Sequence, residues 1–122
     1  MRYLSTRDTN KRVSAAEAIM QGLARDGGLY TPELTPKLTA RALDEMVNMN
    51  YKQRAVYVMS AYLDDFNVSE LTGYCDKAYS PSKFDHPDIA PVMTVDENTH
   101  FLELWHGPTS AFKDMALQML PY

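Results

Sequence analysis

Pro81, Pro87 and Pro91 fall within eleven residues of one another, and they divide the chain more firmly than any other feature. Proline lacks a backbone N–H and fixes φ, so neither a helix interior nor a central strand runs through such a stretch. Residues 80–91 are therefore expected to form an irregular, surface-crossing connection. Helices must be sought before it, and any strands after it must pair locally. At 122 residues the whole fits one domain of ordinary size.

Before the connection, Arg2 to Thr6 reads as a short strand and residues 7–12 as a turn. Ser14 and Glu17 have capping-box spacing and predict a helix over 15–21, with Ala18, Ile19 and Leu23 turned inward and Gly22 and Gly27-Gly28 ending it. Leu29 to Pro32 is extended. Thr39 caps a helix reaching about Met49 through Ala42, Leu43, Met46 and Val47. A further helix, 51–63, carries the stripe Tyr51, Ala55, Val58, Met59 and Tyr62, with Lys52, Gln53 and Arg54 opening its wet side. Ser69 is expected to cap the next, over 70–78, which Gly73 weakens.

After the prolines, Val92 to Val95, a turn at Asp96-Glu97-Asn98 and Thr99 to Trp105 read as a β-hairpin. It feeds the run His106-Gly107-Pro108-Thr109-Ser110-Ala111-Phe112-Lys113-Asp114, and a last helix begins near Asp114. The fold class is α+β: a small strand-and-helix N-terminal unit, a helical middle, a β-hairpin leading to a lysine loop, and a truncated final helix. With about two turns, that helix is expected to fray, to swap onto a neighbour or to pack differently than in a longer chain.

Charge and composition exclude several classes. Twelve basic against sixteen acidic residues give a net charge of −4 with no basic run, so no nucleic-acid partner is expected. No apolar stretch approaches the roughly 20 residues of a membrane helix, and the N-terminus has no secretion-signal core. Cys75 is the single cysteine, which points to a reducing, cytoplasmic setting. His86 and His100 have no partners at metal-ligand spacing, so no metal site is expected.

The chemistry gathers in the lysine loop. Gly107 and Pro108 keep the strand from running straight into a helix, and Thr109 and Ser110 are short hydroxyl residues able to cap the helix that follows. Lys113 then stands in the first helical turn. There the macrodipole and burial beside Phe112 both disfavour the ammonium, and a lysine acts as a nucleophile only when neutral. Two readings of His106 stay open, contact with a ligand or packing at a strand end. Glu103 and Asp114 read either as an acid/base pair around Lys113 or, more simply, as an outward strand residue and a dipole partner.

The segment from Phe101 to Gln118, with Phe112-Lys113-Asp114 at its centre, resembles the pyridoxal-phosphate lysine motif of the threonine synthase family, which has fold type II. Tyr3 to Arg7, Gln21 to Ala24 and Asp26 to Tyr30 resemble that family's N-terminus. The resemblance covers the chain but only the N-terminal region of such an enzyme, as residues 1–91 of an N-terminal helical unit and 92–122 of the start of the cofactor region. It implies that Lys113 is both catalytic and the attachment point of pyridoxal 5'-phosphate. His106, Gly107, Thr109 and Ser110 are implied to meet substrate or shape the loop.

The implied reaction takes O-phospho-L-homoserine and water to L-threonine and phosphate. Ser110 departs from the leucine-like residue of many members. The glycine-rich phosphate loop and the ring-nitrogen partner of the family lie beyond Tyr122, so the 122 residues alone are expected to lack both cofactor and activity. Other readings are a threonine-synthase-like phospho-lyase, giving a keto acid and ammonia, and a non-catalytic folding or interaction unit. Apolar surface left uncovered is expected to drive self-association.

Overall fold

A computed structural model describes residues 1–122. The elements are β1 (Tyr3–Ser5), β2 (Arg12–Val13), α1 (Ala15–Gln21), β3 (Tyr30–Pro32), α2 (Ala40–Val47), α3 (Tyr51–Tyr62), α4 (Val68–Ala78), β4 (Val92–Asp96), β5 (Thr99–Leu102) and α5 (Asp114–Leu117). Two separate antiparallel sheets, ordered β2-β1-β3 and β4-β5, accompany the helices, and the fold is α+β.

In the N-terminal unit β1 is central, with Tyr3 opposite Val13 on one side and Leu4 opposite Thr31 on the other. β2 occupies the end of the stretch read as a turn, because two residues are too few to show a strand's alternation. α1 starts where its capping box puts it: Ser14 Oγ accepts from the Glu17 N–H, and Glu17 Oε2 accepts from the Ser14 N–H at 2.9 Å. Its buried residues are only Ala15 and Ala18. Ile19 and Leu23 are exposed, contrary to expectation. Ile19 lies at the edge of the inner stripe, and Gly22, at φ 68°, ends the helix so that Leu23 bridges to Leu29 instead.

Thr39 caps α2 as read, accepting the Ala42 N–H at 3.1 Å. The helix stops at Val47, where Arg54 donates to the carbonyls of Met46 and Val47 at 2.9 and 3.0 Å. Gln53, assigned to the wet side of α3, also closes a capping box with Asn50. The cap of α4 is Asn67, not Ser69. Asn67 has Glu70 three residues on, and the pair satisfies two end N–H groups where Ser69 faces only Thr72.

α4 carries the centre of the fold. Leu71, Cys75 and Ala78 are each at most 1% exposed, and Cys75 and Ala78 join Tyr79, Phe84 and Ile89 in the main apolar cluster. The proline-rich connection is thus irregular but not confined to the surface, because Phe84 and Ile89 anchor it inside. Ile89 is held at φ 62°, a conformation that costs a β-branched residue about 1–3 kcal/mol, and its burial offsets that cost. Truncating Leu71 to alanine is expected to lower stability by about 3 kcal/mol. Val68→Ala, on an exposed site of the same helix, should shift it by less than about 0.5 kcal/mol. Urea midpoints measure both.

Residues 114–122 pack against their own chain. Met115 and Met119 pack on the main cluster, and the Tyr79 hydroxyl donates to the Met115 carbonyl at 2.8 Å. The regular helix is a single turn, and turns carry the chain on to Tyr122, whose ring lies under Lys83 and Lys77. The hairpin is the opposite case. Every residue of β4 and β5 is exposed, including Val92, Met93, Val95, Phe101 and Leu102. β5 ends at Leu102 rather than Trp105.

Candidate active site

The lysine loop leaves β5 at Glu103 and reaches α5 at Asp114, and contacts at both ends hold it. At its root the Asp85 N–H donates to the His106 carbonyl at 3.1 Å, tying the loop to the proline-rich connection. The His106 ring lies between two carboxylates, with Nδ1 2.6 Å from Asp85 Oδ1 and Nε2 2.7 Å from Glu103 Oε2. Ionised carboxylates only accept, so the arrangement is the one an imidazolium makes, with both ring nitrogens donating. Glu103 first, and Asp85 after it, raise its pKa above the ordinary histidine value. Glu103 is not the outward strand residue expected. β5 has ended one residue earlier, so alternation no longer sets its side.

At the far end Asp114 is fully buried. Its Oδ2 accepts from the Thr109 N–H at 2.8 Å and from the Thr109 hydroxyl at 2.9 Å. Burial pushes the carboxyl pKa up, but the bonds from Thr109 outweigh it and hold the group below its ordinary range. Thr109 and Ser110 therefore do not cap α5. The N-cap position is Lys113 itself, at φ −62° and ψ −22° with no side-chain cap, and Asp114 reaches backwards to close the loop. Asp114 Oδ1 is buried without a partner.

Gly107 makes that closure possible. A Cβ there would lie 2.5 Å from the Asp114 Cβ and 2.7 Å from its Oδ2. The Ser110 N–H donates to the Gly107 carbonyl at 3.0 Å, and Ser110 takes φ 55° to complete the turn. Lys113 comes out of this frame exposed to solvent, beside an exposed Phe112. The amine is not covered by Phe112, and the helix after it is only four residues long. What the frame does supply is a fixed backbone under Lys113.

His106, Gly107, Thr109 and Ser110 all lie in this frame, whereas Asp85 was missed. Nothing in the sequence pairs Asp85 with a histidine twenty-one positions away. No group of three or more His, Cys, Asp and Glu side chains is placed to hold a metal ion, and no helix is long and apolar enough to cross a membrane.

The folded-state pKa of Asp114 is lowered, so its contribution to stability is present above the unfolded value of about 3.9 and is lost as pH falls through the folded one. Thermal melts below about pH 4 should show Asp114→Asn flattening this acid limb.

Residues 2–79 match the family model described as the threonine synthase N terminus. The chain belongs to the threonine synthase family. A threonine synthase from Methylobacillus glycogenes is 39% identical over 127 aligned residues, which cover 98% of this chain and 27% of that protein. The solved structure of a PLP-bound threonine synthase from Brucella melitensis superposes with a TM-score of 0.90 at 36% identity, covering 98% of this chain and 26% of that one. Yeast threonine synthase superposes equally, with a TM-score of 0.90 at 35% identity over 98% of this chain and 25% of its own. The chain thus spans about a quarter of the length of the threonine synthases it matches.

Pyridoxal phosphate fits this site at one end only. An exposed primary amine on a fixed loop suits its aldehyde. Its phosphate needs several converging N–H donors. In the loop the Thr109 N–H is taken by Asp114 and the Ser110 N–H by the Gly107 carbonyl.

Proposed function

We propose that these residues form the amine-bearing region of a pyridoxal-phosphate-dependent threonine synthase, converting O-phospho-L-homoserine and water to L-threonine and phosphate. The observation that carries this reading is Lys113 standing exposed on a loop pinned through Asp114 and His106. Residues 92–122 open the cofactor region, and residues 1–91 are the N-terminal helical unit beside it. Bound pyridoxal phosphate would supply an electron sink for charge left on a substrate carbon. Lys113 Nζ would hold it, and the same amine would serve as the base that moves protons at the substrate. Asp114, Gly107 and Thr109 hold the backbone from which that amine projects.

The phosphate cradle and the ring-nitrogen partner belong to the other three quarters of such an enzyme, so the 122 residues alone are expected to turn over no substrate. The uncovered apolar hairpin supports the same division, since a two-stranded hairpin is marginal without cover. Without that cover it is the surface through which copies of the chain associate, and light scattering that rises with concentration and falls in Phe101→Lys would support this. The free, buried Cys75 supports a reducing, cytoplasmic compartment.

To test the activity, the chain is joined to the C-terminal three quarters of the Methylobacillus glycogenes enzyme and given O-phospho-L-homoserine. Release of phosphate with threonine is the expected result. Release of phosphate with a keto acid and ammonia favours a phospho-lyase, and no phosphate release from a folded, cofactor-loaded hybrid overturns the proposal.

A further inference from the structure

We propose that His106 is a positioning residue, a charged clamp between Glu103 and Asp85 that fixes the root of the lysine loop and so governs how Lys113 is presented. The catalytic consequence rests on reading Lys113 as the cofactor lysine; the clamp itself does not.

Three observations converge on it. Both ring nitrogens are occupied, at 2.6 Å from Asp85 Oδ1 and 2.7 Å from Glu103 Oε2, which leaves none to bind a substrate or cofactor. The two carboxylates come from different segments: Glu103 precedes the loop, while Asp85 belongs to the connection held in the core by Phe84. The backbone repeats the link, since the Asp85 N–H donates to the His106 carbonyl at 3.1 Å. His106 therefore joins the loop to a part of the molecule that is itself anchored. Its side chain is 13% exposed and that of Glu103 17%, whereas Asp85 is 80% exposed. The Glu103 arm is shielded from solvent and is the stronger of the two.

The charge on the ring is essential to the clamp. A neutral imidazole has one donor, so deprotonation turns a nitrogen lone pair towards a carboxylate oxygen within hydrogen-bond distance, and one arm is lost. The charged or titratable groups facing the ring are Glu103 from its own segment and Asp85 and His86 from the connection, with the His86 ring centroid 5.0 Å away. His86 Nδ1 accepts the Asp88 N–H at 3.1 Å, so that nitrogen is turned to the backbone of its own segment. With its folded-state pKa raised, the clamp is complete below the ordinary histidine value of about 6.5 and is lost as pH rises through the folded value.

Imidazole nitrogen NMR of the 122-residue chain tests this directly. His106 should titrate above about 6.5 and show two protonated nitrogens below its midpoint, with Glu103→Gln lowering that midpoint more than Asp85→Asn. Amide-exchange protection of residues 107–113, corrected for intrinsic rates, should fall roughly tenfold as pH crosses that midpoint. In His106→Gln it should be low at every pH, and if that variant unfolds, Glu103→Gln, which weakens the stronger arm, should move the loss of protection to lower pH. A midpoint at or below 6.5, or protection that ignores it, overturns the clamp. In the hybrid enzyme, borohydride trapping of pyridoxal phosphate at Lys113 should weaken across the same pH range. Absent trapping with the NMR behaviour intact would instead tell against Lys113 as the cofactor lysine.

Discussion

Gly107→Ala is expected to unseat the lysine loop and to cost about 3 kcal/mol, the upper end of what overpacking inflicts. The added methyl would sit 2.5 Å from the Asp114 Cβ, an atom fixed to the backbone and unable to swing aside like the tip of a long side chain. Asp114 has no free direction to move in, because it is fully buried and Thr109 holds its Oδ2 through two hydrogen bonds. Relieving the clash therefore breaks the bonds that close the loop and leaves a carboxylate buried without its donors. A urea titration should show the midpoint falling, with Pro108→Ala, next door but exposed, staying within about 0.5 kcal/mol of the parent.

Lys113→Ala should give the reverse signature. The side chain is exposed and joins none of the ion pairs of the chain, so the melting temperature of the 122 residues should barely move. In the hybrid enzyme, by contrast, phosphate release should fall by ~10⁴-fold or more, since on the proposed reading one amine is both attachment point and proton carrier. The two substitutions separate the frame from what it presents. An equal loss of stability in both would mean that Lys113 is structural.

Much of this architecture was legible because it rests on local chemistry. Ser14 with Glu17 sets the start of α1 to the residue, and Thr39 does the same for α2. The error at Ser69 was also local: the box formed by Asn67 and Glu70 satisfies two N–H groups and outcompetes a lone hydroxyl. Long-range placement was less accessible. The prolines marked residues 80–91 as irregular, yet Phe84 and Ile89 draw that stretch into the core, and only packing decides this. Read from the sequence, Lys113 belonged to a buried helix start. Folded, it is exposed on a one-turn helix, and order in the loop comes from contacts that span it, Asp114 to Thr109 and His106 to Asp85. Glu103 was misplaced because its strand ends at Leu102, three residues sooner than expected.

The central claim is that this frame exists to present one amine to pyridoxal phosphate. Borohydride reduction of the cofactor-loaded hybrid enzyme, followed by peptide mass spectrometry, addresses it most directly. The pyridoxyl group should be found on the peptide carrying Lys113, and it should disappear from that peptide in Lys113→Ala without appearing on Lys77, Lys83 or another lysine. Label spread over several lysines, or an unchanged amount in the alanine variant, would contradict the account.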